Sequence, residues 1–284
     1  MQHYSLAKSS SSVKPFLKWV GGKRQLLPVI TRYLPRQINT YYEPFVGAGA
    51  LLLNIPHPRQ LVISDVNAEL INCYRVIQQS PEALIADLQQ HKNTPEYFYA
   101  LRALDREPDA FAALSRVQRA SRTIYLNKTC FNGLYRVNRK GQFNSPFGRY
   151  RNPTIADVAG IQAVHRFLNQ KPVRILNQDF ESTVKSARAG DFVYFDPPYD
   201  PVSNTASFTA YQKNGFGRSE QTRLARVMHD LHRRGCKVMM SNSSTDFIHS
   251  LYKDFNVVKV SATRRVNAVA SKRGQVDEVL VMNY

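Results

Sequence analysis

The chain has 284 residues, 43% of them hydrophobic, enough for a sizeable core and one or two domains. No apolar run approaches the ~20 residues that span a bilayer, and the Ser-rich start, Met1 to Lys14, lacks the apolar stretch of a secretory signal, so a cytoplasmic location is expected. The net charge of +18 and pI near 10.0 exceed what an enzyme of small metabolites needs and point to a polyanionic partner.

Residues 1–12 are expected to form a disordered tail. Beyond them, apolar runs bounded by turn residues alternate with helical stretches, the pattern of an α/β domain. Tyr41–Val46 reads as a strand running into the tight turn Gly47-Ala48-Gly49, and Leu61–Ser64 as a second strand ending at Asp65. From Ala68 to about Gln170 the pattern is helical and then loop-like. Ser80 and Pro81 mark an N-cap and first helical residue. Glu96 to Leu126 carries apolar residues at helical spacing, and Phe131–Tyr150, rich in Gly, Asn and Arg, reads as an exposed loop or hairpin. Val173–Asn177, Phe192–Phe195, Lys237–Ser241, Asn256–Ser261 and Glu278–Met282 bring the strands to about seven. The expected architecture is a sheet domain built from residues 13–67 and 171–284, with a mostly helical basic insert, 68–170, carrying the hairpin 131–150.

The three cysteines, Cys73, Cys130 and Cys236, are far apart and show no metal-ligand spacing, so they read as packing residues and no metal is expected. The charge is concentrated. Between Asp109 and Asp157 no acidic residue occurs, while Arg116, Arg119, Arg122, Lys128, Arg136, Arg139, Lys140, Arg149 and Arg151 do. They alternate with Tyr125, Phe131, Tyr135, Phe143, Phe147 and Tyr150, a mixture that suits nucleic acid, where cations meet phosphates and rings stack on bases.

Three constellations carry chemistry. In Glu43-Pro44-Phe45-Val46-Gly47-Ala48-Gly49 a strand enters a Gly-rich turn, which lets backbone approach a nucleoside cofactor. Leu52 stands where a dinucleotide fingerprint needs its third Gly, which weakens NAD or FAD. Asp65, at the end of the next strand, can accept both ribose hydroxyls of an adenosine, or it can cap the following helix. Asp196-Pro197-Pro198-Tyr199 follows the apolar strand Phe192–Phe195. Two prolines remove donors and stiffen the turn, so a carboxylate and carbonyls project at the strand end. An exocyclic base amine needs such acceptors on both N–H bonds, because its lone pair is otherwise delocalised into the ring. Tyr199 would stack on a base extruded from the duplex.

On these motifs the chain resembles the Dam-type family of DNA adenine-N6 methyltransferases, in the order cofactor motif, recognition region, catalytic motif, from about Pro15 to Tyr284. The resemblance implies a Rossmann-like methyltransferase sheet that uses S-adenosylmethionine, with a mostly helical DNA-recognition insert. Pro15-Phe16-Leu17-Lys18-Trp19-Val20-Gly21-Gly22-Lys23 is similar to the family's N-terminal cofactor segment, which implies that Trp19 and Lys23 contact the cofactor together with Phe45, Gly47, Gly49, Asp65 and Asp196. Asp179, after another strand, lines the cofactor's adenine end or caps a helix. The block Asn132–Asn138 through Phe143–Tyr150 is similar to the family's DNA-reading hairpin and implies a GATC target. Leu134 and Arg136 would probe the duplex, with the Arg136 fork on a guanine. Phe131, Asn132 and Tyr150 match positions that intercalate, fill the space left by the adenine or hold the backbone, and Lys18, Asn138, Asn144, Pro146 and Arg149 complete the DNA-facing set. Asp196, Pro197 and Tyr199 would be catalytic.

The family further implies action as a monomer on double-stranded DNA in a bacterial, archaeal or phage setting, with a cognate restriction endonuclease as a potential partner. Cytosine-C5 methylation is disfavoured because none of the cysteines follows a proline. N4-cytosine methylation shares the amine chemistry and stays open as the alternative, as does a DNA-binding relative without catalysis.

Overall fold

A computed structural model describes residues 13–56, 58–202, 216–263 and 275–284; the expected tail, 1–12, lies outside the described residues. Seven strands form one sheet: β1 (Thr40–Glu43), β2 (Gln60–Ser64), β3 (Val173–Leu176), β4 (Phe192–Phe195), β5 (Lys237–Ser243), β6 (Asn256–Thr263) and β7 (Gln275–Met282), in the order β3-β2-β1-β4-β5-β7-β6. The first five pair in parallel, and β7 inserts antiparallel between β5 and β6. Each expected strand is present within a few residues. β1 stops at Glu43 rather than Val46: Pro44 cannot donate to a ladder, and the Val46 N–H turns aside to the Ser64 carbonyl at 3.0 Å.

Both faces of the sheet are covered. β4, Phe-Val-Tyr-Phe, is buried at all four positions, as a central parallel strand must be. On one face Tyr42, Val62, Val193 and Met240 pack with the helix Arg218–Arg233. On the other, Tyr41, Leu61, Phe192 and Tyr194 join a cluster that runs without a break into the helices Ala68–Gln79, Pro81–Leu88, Arg116–Thr129 and Val158–Asn169. The basic segment therefore shares its core with the sheet. The three cysteines are buried and free, as their packing role requires.

The helical stretch read from Glu96 to Leu126 is broken. The helix Pro95–Ala103 ends before Pro108, and a new helix starts at Arg116 behind a capping box in which Ser115 and Gln118 satisfy each other's backbone N–H. Ser80 and Pro81 do open the helix Pro81–Leu88, although no side-chain cap bond forms at Ser80.

The order reverses between β1 and β4: β2 and β3 continue one way and β5 the other. In an open parallel sheet the crevice beyond the carboxyl ends at such a point is where ligands bind. The strand ends that flank it here carry Glu43–Gly49 and Asp196–Tyr199.

Candidate active site and nucleic-acid interface

The turn after β1 is possible only because its glycines lack side chains. Gly47 and Gly49 have φ of +49° and +72°. A Cβ on Gly47 would stand 2.9 Å from the Trp19 ring, and one on Gly49 would stand 2.6 Å from the Tyr74 hydroxyl. That hydroxyl donates to the Gly47 carbonyl at 3.0 Å and supports the turn from below. Asp65, at the end of β2, accepts from the Gly47 N–H at 3.2 Å and the Asn67 N–H at 2.9 Å. Capping of the following helix falls to Asn67, whose side chain accepts from the Leu70 N–H. Burial pushes the Asp65 carboxyl up to about 6 against those two N–H donors.

The turn after β4 is tied down along its length. Gln221 donates to the Pro198 carbonyl at 2.8 Å, the Asp200 N–H donates to Asn242 at 3.0 Å, and the Ser243 hydroxyl donates to the Asp200 carbonyl. No donor reaches the Pro197 carbonyl among the described residues. Asp196 faces Lys23, whose ammonium lies 2.8 Å from its carboxylate. The same ammonium donates to the Gly21 carbonyl at 2.8 Å and sits 4.6 Å from the centre of the Tyr199 ring. Burial raises the Asp196 carboxyl to about 6, Lys23 opposes the rise and Glu278 adds to it. Beneath these groups lies Glu43, fully buried, accepting from the Tyr41 hydroxyl at 2.8 Å and pushed up to about 8 by burial.

Asp179 caps the helix Phe180–Thr183 through the Ser182 N–H at 2.9 Å, and its other oxygen pairs with Arg223 at 2.9 Å. Phe45 stacks on Phe180 and meets Phe195 and Phe216 edge-on, an aromatic group beside the Gly-rich turn.

The hairpin lies next to this crevice. Trp19 stacks on Tyr135, rings 4.8 Å apart, so one tryptophan touches both the Gly47 turn and the hairpin. The buried Asn127 accepts from the Lys18 N–H at 2.9 Å and donates to the Lys18 and Gly133 carbonyls at 2.8 and 3.1 Å. It therefore joins the N-terminal segment to the turn Phe131–Gly133. In that turn Asn132 takes a left-handed φ of 58°, and Phe131 projects, 55% exposed. The hairpin closes through isolated bridges Cys130 with Phe147 and Val137 with Phe143. Pro146 accepts the Phe131 N–H at 2.8 Å. Asn138 shapes the tip by accepting from the Lys140 and Gln142 N–H groups. Arg136 is exposed and lies flat against Asn144, donating to its side chain at 2.8 Å and its carbonyl at 3.3 Å. Leu134 is half-buried, Arg149 is exposed at a left-handed φ of 54°, and Lys18 reaches over the Tyr150 ring.

Two parts of the basic-aromatic reading change. Of the six aromatic residues in the block, Phe131 alone is exposed; Tyr125 and Phe143 are core residues, and Tyr135, Phe147 and Tyr150 are half-buried. Arg119 and Arg122 are engaged by acids from outside the block, Glu69 and Asp105, and Arg122 is buried, donating to the Leu101 and Arg102 carbonyls. Charge counted along the sequence misses partners that folding brings from elsewhere. Asn127 and Glu278 were absent from the expected site, and Glu43 appeared only as the first residue of the Gly-rich motif. Glu43 follows the apolar pair Tyr41-Tyr42, whereas Asn127, beside Lys128, and Glu278, beside Asp277, carry no such local signal.

The arrangement offers a bare turn with a carboxylate at its mouth, an ionisable acceptor beside a stiff proline turn, and a basic hairpin at the edge. Comparison with known proteins gives the family. Residues 19–266 match the family model described as D12 class N6 adenine-specific DNA methyltransferase. The chain is 47% identical over 281 residues to the type II methyltransferase M1.LlaDCHI of Lactococcus lactis subsp. cremoris, covering 98% of each chain. It is 42% identical over 291 residues to the type II methyltransferase M.MjaIII of Methanocaldococcus jannaschii, covering 96% of this chain and 99% of that one. With the DNA adenine methylase of Escherichia coli strain K12 it shares 32% identity over 274 residues, 95% of each. A match that takes in both strand-end turns and the hairpin between them establishes that the chain belongs to the D12 class of N6 adenine-specific DNA methyltransferases.

Proposed function

We propose that this adenine-specific DNA methyltransferase acts on the adenine of GATC in duplex DNA, after rotating that base out of the stack into the crevice between the ends of β1 and β4. The observation that carries the reading is Asp196, held by Lys23 at 2.8 Å at the end of β4, beside a Pro197 carbonyl that accepts no bond from the described residues. Asp196 and the Pro197 carbonyl each accept one N–H of the adenine amine. This favours a pyramidal nitrogen whose lone pair is free to react, and Tyr199 stacks on the base. The base leaves the duplex because its amine is otherwise paired.

The enzyme uses S-adenosylmethionine, and the residues present fit it. Gly47 and Gly49 leave backbone bare where a Cβ would collide with what already surrounds the turn, and Asp65 is placed for ribose hydroxyls. When bound, S-adenosylmethionine supplies an electrophilic methyl carbon on a sulfonium. Trp19, Lys23, Phe45 and Asp196 complete that site, and Asp179 lies toward its adenine end.

Arg136 reads a guanine through its fork, which requires it to exchange its bonds to Asn144 for the base edge. Leu134 and Pro146 contact bases. Phe131 enters the stack and Asn132 fills the vacated space, while Lys18, Asn138, Asn144, Arg149 and Tyr150 hold the backbone. The protein works as a monomer in the cytoplasm. The type II naming of two relatives supports a cognate restriction endonuclease as its partner.

The test is to methylate a plasmid in vitro and map the modified base with its flanks. N6-methyladenine confined to GATC is expected. N4-methylcytosine, or methylation indifferent to the flanking bases, overturns the reading.

A further inference from the structure

β7 alternates strictly. Val279 and Val281 enter the core on one face of the sheet, and Leu280 and Met282 enter the core on the other, beside Tyr41, Phe192 and Tyr194. Glu278 shares the face of Leu280 and Met282, two residues apart along a strand. It is 9% exposed and in register with Ser243 of β5 and Val260 of β6. A carboxylate at such a position loses hydration and needs a strong partner. The Tyr199 hydroxyl donates to it at 2.8 Å.

Tyr199 is thereby fixed at three points. Its backbone is held by the bonds at Pro198 and Asp200. One face of its ring has the Lys23 ammonium 4.6 Å from the centre. Its tip is held by Glu278. Burial, together with Asp196 and Glu278, raises the phenol well above its ordinary range, so it remains a hydrogen-bond donor. A ring held at backbone, face and tip has a defined plane. The Glu278 contact is the one of the three made to the phenol hydroxyl.

We infer that Glu278 is a positioning residue of the methyl-transfer reaction: through the Tyr199 hydroxyl it sets the plane of the ring against which the target base is held. The inference rests on the proposed role of Tyr199 as the stacking platform. Glu278 acts through Tyr199 and touches neither base nor cofactor.

A double-mutant cycle read by single-turnover methyl transfer to a GATC duplex tests it. Y199F keeps the ring and removes the hydroxyl; E278A removes the acceptor; E278Q keeps an acceptor. Y199F and E278A are each expected to slow transfer by about three- to tenfold, the worth of one hydrogen bond. The double variant should be no slower than the slower single, and E278Q should recover most of the loss. If E278A fails to fold, E278L takes its place, filling the volume with apolar atoms on the face of Leu280. A Y199F rate equal to wild type, or losses that multiply in the double variant, overturns the inference. The stacking role is read separately with 2-aminopurine at the target position: Y199A should brighten it relative to wild type. An unchanged signal overturns the role of Tyr199 in base stacking, whereas the kinetic coupling concerns Glu278 alone.

Discussion

Asp196 stands between opposing influences. Burial pushes its carboxyl up to about 6, and the Lys23 ammonium at 2.8 Å pulls it down. An acceptor for an amine must be ionised, so kcat/KM should rise with pH through about 6 and be lost as pH falls below it. Removing the cation in K23M removes the opposing pull. The acid limb should then move to higher pH, and a pH–rate profile that stays in place would contradict the pairing. Glu43 makes a second claim at this scale. Its folded-state carboxyl lies near 8, above the ordinary carboxylate range, so its contribution to stability is full in acid and is lost as pH rises through about 8. E43Q stays neutral throughout. Its Tm should exceed that of wild type by more at pH 8.5 than at pH 5, and a difference independent of pH would remove the assignment. The Asp-Pro-Pro-Tyr turn was legible because its chemistry is local. The link from Lys23 to Asp196 and that from Glu278 to Tyr199 were not, because each joins residues remote in sequence that only the tertiary fold brings together.

At the scale of elements, the strands were legible because each is a short apolar run closed by a turn residue, and β4 is the clearest case, buried throughout. The insert was less so. Helical spacing continues across Pro108 and Ser115, yet a proline and a capping box restart the chain there. Its aromatics follow the same logic: a ring in a basic block reads alike whether it faces solvent, as Phe131 does, or supports the hairpin, as Phe143 does. The least visible element-level device is Asn127. It sits in the last turn of the helix Arg116–Thr129 and holds the Lys18 backbone and the Gly133 carbonyl at once. N127A leaves buried backbone groups without partners, which should cost about 1–3 kcal/mol in denaturant unfolding. It should also weaken duplex binding, since Lys18 and Phe131 lose their common anchor. Unchanged stability and affinity would show that the hairpin holds its place without it.

Across the whole molecule, the point of sheet reversal brings the two ends of the chain's chemistry together. β1 delivers the bare Gly47 turn and β4 the Asp196 turn to one crevice, and the segment Lys18–Lys23 bridges from the hairpin to the Asp196 carboxylate. Part of the basic block's charge is paired internally, Arg119 with Glu69 and Arg122 with Asp105. The exposed cations Lys18, Arg139, Lys140, Arg149 and Arg151 have no such acidic partner among the described residues and, on the proposed reading, meet phosphates. With four or five phosphates neutralised, the slope of log K against log salt concentration should be about −3.6 to −4.5. A flat dependence would separate the charge from DNA binding. The most direct test of the central claim is single-turnover transfer of labelled methyl from S-adenosylmethionine to a GATC duplex by wild type and D196A, with duplex affinity measured in parallel. Binding that survives while label no longer reaches adenine is the expected result. Turnover by D196A near the wild-type rate would contradict the role given to this carboxylate.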